Sequence, residues 1–406
     1  MPGRALTDRV RQLLGAEAIP ESPGEPPLVC PADESECALL LRTASAEGWQ
    51  VFIEGGGTWC ATPPETDLRL GTTRLNAVGP VEPADLVATA RPGVRWSALR
   101  ERLADDGTWL AQDAPGGDRT LGSVLATATA GPLRSGFGTP RDQVLGLTLV
   151  TGDGRVVRVG GRVVKNVAGY DIAKLALGTF GAFGVITSVH LRLRAVPRAD
   201  LTLRGGGTRD TLLDAARGVL QAGLTPAALE LLSPAAVGAD EWTLAVRLLG
   251  TDAEVAADDR ALRARVPLTL APLRSDDAAT FWREVLSGSA RRAATARIGA
   301  DPSDLEDALD LVALHLDERV ADWIQVSVPA GTVRWSGDAP AEYLQGLRRA
   351  AAEHEWPLTL ERGPAAIVRA VGHFGAYREG VFRLVRALRA AFDPAGILTT
   401  PLDPTS

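Results

Sequence analysis

Leu6, Val10, Leu13 and Leu14 recur at helical spacing, so residues 4–19 are expected to form a short amphipathic helix. A proline-rich linker follows, from Pro20 to Pro31. Residues 35–48 carry a helical pattern, and residues 50–53 read as a buried strand that stops at Gly55-Gly56-Gly57-Thr58. Residues 68–70 and 86–90 are further strand candidates, while Trp96, Leu99 and Leu103 space a helix over residues 94–106. Two β-rich runs, 145–151 and 155–159, flank Gly152-Asp153-Gly154, and an Asp-Gly between such runs predicts a hairpin. Residues 185–193 alternate apolar and polar positions, as a strand does.

The pattern changes across residues 197–207, where a proline, charged residues and Gly205-Gly206-Gly207 mark an expected domain boundary, the triplet being read as a plain loop. Beyond it, helical patterns over 211–221, 252–265, 276–286, 304–315 and 341–354 alternate with strand candidates at 228–232, 242–249, 323–328 and 332–335. That alternation predicts an α+β second domain. Asp304 is expected to cap its helix, with Glu306 and Asp307 in a first turn where negative charge suits the macrodipole. A helix over 380–392 and the turn Asp393-Pro394-Ala395-Gly396 close the chain.

At 406 residues the chain exceeds one ordinary core, so two or three domains are expected. With 45% hydrophobic and 23% charged residues it reads as a globular, soluble protein. The net charge of -7 argues against a nucleic-acid partner. No apolar run is long enough to span a bilayer and no secretory signal is visible. Cys30, Cys37 and Cys60 fit neither a disulfide framework nor a zinc or iron–sulfur spacing, so reduced thiols and a cytoplasmic location are expected.

Of the 43 Lys and Arg residues only Lys165 and Lys174 are Lys, and both fall within residues 160–187 beside Asn166 and Tyr170. Lys is a point charge and Arg a planar fork, so this departure marks a candidate site. Glu54-Gly55-Gly56-Gly57-Thr58-Trp59 is a second candidate. Three glycines let the backbone turn sharply and bring several N–H groups to one side, an anion nest suited to a pyrophosphate. It matches neither the P-loop nor the Rossmann fingerprint. Residues 114–129 are a third, where Pro115, Thr120, Leu121, Gly122, Ser123 and Thr127 combine small side chains with hydroxyl donors. Residues 131–142 form a glycine-rich loop with Arg134, Gly138 and Arg141, and residues 178–187 a glycine-punctuated entry into a strand.

In this order, Gly55-Gly56-Gly57-Thr58, Thr120-Leu121-Gly122, Gly131-Pro132-Leu133-Arg134, Arg141-Asp142-Gln143-Val144-Leu145-Gly146, residues 165–175 and Gly184-Val185-Ile186-Thr187 resemble the FAD-binding fold shared by vanillyl-alcohol oxidase and p-cresol methylhydroxylase. Within it the chain is most similar to the FAD-binding E subunit family of bacterial glycolate oxidase, with residues 392–398 matching at the C-terminal end. The resemblance covers residues 25–197 and about the last thirty; the middle carries no diagnostic motif.

The resemblance implies an N-terminal helix and linker over 1–24 and a two-subdomain PCMH-type FAD-binding domain over 25–198. An α+β cap or substrate domain over 199–370 follows, and residues 371–406 return to the FAD domain. Glu54 to Trp59 would cradle the pyrophosphate, Thr120 to Ser123 would flank it and the flavin, Gly184, Val185 and Ile186 would meet the adenosine end, and Lys165 and Tyr170 would line the cofactor wall. FAD would be non-covalent, since no His stands beside the glycine loop. The implied activity is oxidation of a small 2-hydroxy acid, glycolate to glyoxylate, with hydride transfer to FAD. Electrons would leave through a complex with a catalytic FAD subunit and an iron–sulfur subunit, peripheral to the inner membrane. A flavin-bearing scaffold or electron-transfer subunit, and a stand-alone flavin oxidase, stay open as alternatives.

Three positions depart from the family pattern. Glu54 puts an acid at a pyrophosphate loop and must turn away or pair with an Arg; Ser123 replaces a glycine; Thr399-Thr400-Pro401 replaces Asn-Pro-Gly. No catalytic residue is assigned. His190, His315, His354 and His373 show no metal-ligand spacing, and His373 is expected to pack rather than act as a base.

Overall fold

The computed structural model describes residues 2–21, 24–59, 64–162, 172–315, 322–375 and 379–402. Three sheets organise it. The first is parallel, in the order Leu28–Val29, Leu68–Gly71, Val51–Glu54, Leu398–Thr399. Parallel strands need a crossover, and the helix Glu34–Glu47 supplies one between Leu28–Val29 and Val51–Glu54. Asp33 caps that helix by accepting from the Glu36 N–H at 2.9 Å, and Gly48 ends it in the left-handed region (φ 73). Its Cys37, Leu40, Leu41 and Ala44 are buried against the sheet. Burial pushes the Cys37 thiol up to about 12, so it is an inert core residue. Cys60 lies outside the described residues.

The second sheet has five strands, in the order Val78–Glu82, Val87–Ala90, Val185–Arg192, Val144–Val150, Val156–Gly160. Its last two form the hairpin that Gly152-Asp153-Gly154 announces. The helices Trp96–Ala104 and Leu121–Thr127 pack on it through Leu99, Leu103, Leu121 and Leu125. Val150 and Val185 also join the core of the first sheet, which couples the two.

The third sheet is antiparallel and holds eight strands. Their order is Ala271–Pro272, Ala199–Gly207, Trp242–Gly250, Ala228–Leu232, Trp323–Ser327, Thr332–Gly337, Ala294–Gly299, Leu358–Arg362. Side chains alternate across a strand, and here the two faces differ in kind. Leu229, Leu231, Ile324, Val326, Val333, Trp335, Ala296 and Ile298 pack beneath the helices Arg209–Gln221, Asp252–Arg265, Leu305–His315 and Ala341–Glu353. The opposite face carries Glu230, Gln325, Ser327, Arg334 and Arg297, whose strand partners pair Glu230 with Ser327, Gln325 with Arg334 and Arg297 with Arg334.

Two local expectations are corrected. Gly205-Gly206-Gly207 is not a loop; it completes the nine-residue strand Ala199–Gly207. Glycine is required because neighbours crowd the strand: a Cβ on Gly205 would lie 2.7 Å from the Thr269 carbonyl oxygen and one on Gly206 2.1 Å from Glu241 Oε1. Asp304 does not cap the helix Leu305–His315 but ends a 3-10 turn, Pro302–Asp304, that leads into it.

After the helix Glu379–Phe392 the chain returns to the first sheet. Asp393 turns it by accepting from the Ile397 and Leu398 N–H groups at 3.1 and 2.8 Å. Among the described residues no helix is long and apolar enough to cross a membrane.

Candidate functional site

A cleft with about 750 Å³ of empty space, part of it open to solvent, lies where the first two sheets meet. The strand Val51–Glu54 delivers the chain to the glycine triplet, and Gly57 turns it at φ 67. Gly55 lies so close to the segment before the helix Leu121–Thr127 that a Cβ would stand 2.4 Å from Thr120 Oγ1. Opposite, Gly184 (φ 131) brings its strand against Val150, where a Cβ would lie 2.1 Å from the carbonyl oxygen. The cleft is therefore shaped by missing side chains. Thr58 Oγ1 is buried there without a hydrogen-bond partner. Such a group is costly unless something fills the site and bonds it.

Glu54 answers its sequence problem by pairing with Arg69 at 3.4 Å. Burial raises its pKa, which Arg69 only partly offsets. Ser123 has a role a glycine could not fill. Its Oγ accepts from buried Arg119 at 2.7 Å, while the Ser123 carbonyl and Thr127 Oγ1 accept from the same guanidinium at 3.1 and 2.9 Å. Burial lowers Arg119 to about 10, which leaves it charged at neutral pH, and its hydrogen bonds go to neutral oxygens.

Trp59, Thr127 and Phe180 line both this cleft and a polar chamber of about 560 Å³ under the third sheet. Trp59 stands 4.7 Å from the Phe180 ring and stacks on His373 at 4.8 Å. Arg134, Arg297, Arg334 and Glu361 give the chamber its charge. Arg297 Nε and Arg334 Nε each donate to one Glu361 oxygen at 2.9 Å. Burial alone would raise the Glu361 carboxyl; Arg334 and Arg297 outweigh it and hold it down to about 2. Behind it, Glu230 accepts from Gln325 at 2.7 Å and Ser327 at 2.9 Å. Burial nevertheless pushes Glu230 up to about 8, so it keeps its proton at neutral pH.

Residues 26–160 match a family described as FAD binding domain. The chain carries a PCMH-type FAD-binding domain. Over 125 residues it is 41% identical to glycolate oxidase subunit GlcE of Escherichia coli, covering 30% of this chain and 36% of that one. It is 28% identical over 240 residues to the mitochondrial D-lactate dehydrogenase [cytochrome] of Arabidopsis thaliana, covering 56% and 42%. The chain thus spans less than half the length of these relatives. The 4-ethylphenol oxidase of Gulosibacter chungangensis, solved with isoeugenol, shares the fold at a TM-score of 0.76, 16% identity and coverage of 98% and 96%.

The FAD-binding domain fits its cofactor: glycine backbone for close approach and an unpaired Thr58 hydroxyl where acceptor oxygens are wanted. Of the residues expected to bind FAD, Glu54, Gly55, Gly57, Thr58, Trp59, Gly122, Ser123, Thr127, Gly184, Val185 and Ile186 line the cleft together. Gly56 turns toward Arg95, and Thr120 and Leu121 are buried behind the wall, Thr120 capping the helix through Ser123 N–H at 3.3 Å. Pro115 lines a smaller recess with Arg119 and Glu361. Gly138 (φ 82) ends the short helix Arg134–Phe137 and is not part of the cleft lining. Lys165 and Tyr170 lie outside the described residues. Pro401, from the departing Thr399-Thr400-Pro401, lines the cleft nonetheless.

Among the described residues no histidine lines the chamber, though His373 backs its Trp59. His190 Nδ1 is 3.0 Å from Thr89 Oγ1 within the second sheet, and His354 is exposed beside Trp356. His373 Nδ1 donates to the Leu360 carbonyl at 2.7 Å, and burial lowers its pKa, so it packs as a neutral ring. Sequence reasoning missed Thr72, Pro92, Thr179 and Phe180 in the cleft, and Arg297, Arg334 and Glu361 in the chamber.

Proposed function

We propose that this chain is an FAD-dependent oxidoreductase subunit that oxidises a small 2-hydroxy acid in the arginine-lined chamber and passes the electrons to a partner. The observation that carries this reading is the shared wall: Trp59, Thr127 and Phe180 belong to both the cofactor cleft and the chamber. FAD, when bound, supplies a two-electron acceptor. The chain's own residues do the rest. Thr58 and the glycine loop hold the cofactor, the arginines draw in a carboxylate, and the third sheet closes over the chamber and excludes water. Glu361 is a poor base because two arginines hold its carboxyl down to about 2, leaving it little affinity for a proton, so it orders the chamber instead.

The relative named as a glycolate oxidase subunit supports glycolate as substrate and membership of a complex; a second FAD subunit and an iron–sulfur subunit, assembled in the cytoplasm at the membrane surface, extend that proposal. The same reading divides the chain at residues 25–198, 199–370 and 371–406. We propose that FAD is held non-covalently.

Anaerobic mixing of the purified chain with glycolate and with D-lactate tests it. Bleaching of the flavin band by either acid is expected. A flavin-loaded chain, alone or with its partners, that neither acid bleaches would remove the substrate chemistry and leave a scaffold. Acid precipitation that fails to release the flavin would remove the non-covalent assignment.

A further inference from the structure

The chamber's three arginines are not equivalent. Arg297 and Arg334 are each tied to Glu361, which has no oxygen to spare. Arg134 is different. It is half-buried on the short helix Arg134–Phe137 and faces the same chamber. Among the described residues its guanidinium has neither a hydrogen bond nor an ion pair.

Its surroundings are repulsive. Burial lowers its pKa, and Arg297 and Arg334 push it the same way. Asp142 is the carboxylate that opposes them, and its Oδ2 already accepts from the Thr139 N–H and hydroxyl at 2.7 and 2.8 Å. The chamber thus sets three guanidiniums against one fully engaged carboxylate. A partly desolvated, unpaired cation beside two others costs stability unless an anion completes it. Thr129, Thr139, Ser327, Thr332 and Thr359 add hydroxyls to the same walls, donors for the remaining oxygens of a small acid.

We infer that Arg134 is the residue that binds the carboxylate of the substrate, and that the chamber selects acids over neutral alcohols of the same shape through this one guanidinium. The inference rests on the 2-hydroxy-acid reading above. Arg presents a fork to a carboxylate, so Lys can replace its charge but not its paired hydrogen bonds.

The test uses oxalate, an unreactive carboxylate, titrated against the flavin-loaded chain by calorimetry, with glycolamide as the neutral mimic of glycolate. The parent chain is expected to bind oxalate and not glycolamide. Arg134→Gln should weaken oxalate roughly tenfold to hundredfold, the range for a lost charge-assisted pair, and Arg134→Lys should fall between. Flavin content, measured on each variant, should match the parent, and the melting temperature should not fall, since Arg134 holds no internal partner among the described residues and its charge is disfavoured there. A variant too unstable to load flavin would itself overturn the inference, because it would make Arg134 a structural residue. So would oxalate binding unchanged in Arg134→Gln, or glycolamide binding as tightly as oxalate. Oxalate bound through Arg134 in a chain that no 2-hydroxy acid reduces would sink the oxidation reading alone.

Discussion

On one side of Trp59 and Phe180 the chain withholds side chains; on the other it crowds them. The cofactor cleft is shaped by Gly55, Gly122 and Gly184, positions where a single added carbon would strike neighbouring atoms. The chamber is shaped by charged side chains brought together from strands far apart in sequence. The cleft is a matter of backbone and stereochemistry, and depends on pH very little. The chamber is a matter of charge, so pH and single charge deletions should reach it first.

The largest expected effect tests the steric half. Gly184→Ala would put a Cβ 2.1 Å from the Val150 carbonyl oxygen at φ 131, and should cost about 4 kcal/mol in a denaturant titration. A loss under about 1 kcal/mol would show that the two sheets can part cheaply there and that the cleft is soft.

Next comes Glu361→Gln, which leaves Arg297 and Arg334 without their anion and should cost about 3 kcal/mol at neutral pH. Its sign with pH is fixed. The carboxyl is depressed from its ordinary value of 4.5 to about 2, so its stabilisation is present above the unfolded value and lost as pH falls through the folded one. Parent and variant should converge in stability on acidification across that window.

Glu230 should behave oppositely. Its carboxyl is raised to about 8, so the stability it contributes is complete below its unfolded value and is lost as pH rises through the folded one. Between those limits a single retained proton gives a slope of up to about 1.4 kcal/mol per pH unit, and Glu230→Gln should flatten it. An unchanged slope would remove Glu230 as the group responsible.

The smallest effect belongs to the cleft again. Thr58→Val keeps the shape but deletes the unpaired hydroxyl, and should weaken FAD about tenfold in a fluorescence titration without lowering the stability of the flavin-free chain. Equal affinity would mean that the glycine backbone alone holds the cofactor.

The two regions also differ in how far they could be read from the chain. The hairpin around Gly152-Asp153-Gly154 and the strand running into Gly55 were legible because both obey local rules of turn chemistry and glycine freedom. The chamber was not. Arg297, Arg334 and Glu361 meet only through strand register, and one pairing shifts by a bulge between Thr295 and Ala296. In a chain whose cationic residues are nearly all Arg, no single arginine stands out. The strands Ala294–Gly299 and Leu358–Arg362 were also missed. Gly205-Gly206-Gly207 misled in the other direction, since a triplet that means a loop after Glu54 means a crowded strand after Arg204. The two Lys residues that set residues 160–187 apart are split by the structure: Lys174 sits on the short helix Ile172–Leu175, and Lys165 lies outside the described residues.

The pairing of Leu398–Thr399 with Val51–Glu54 has a consequence for biosynthesis. The strand that feeds the glycine loop leaves the ribosome well before its edge partner and before Pro401, which lines the same cleft. The whole eight-stranded sheet is translated in between. A nascent chain therefore offers FAD a cleft with an open seam until Leu398–Thr399 emerges, and a message cut short before that strand yields a polypeptide that cannot close it. Cofactor loading becomes a readout of translation past that point, and Val51–Glu54 must wait, shielded or chaperoned, for a partner from far along its own chain.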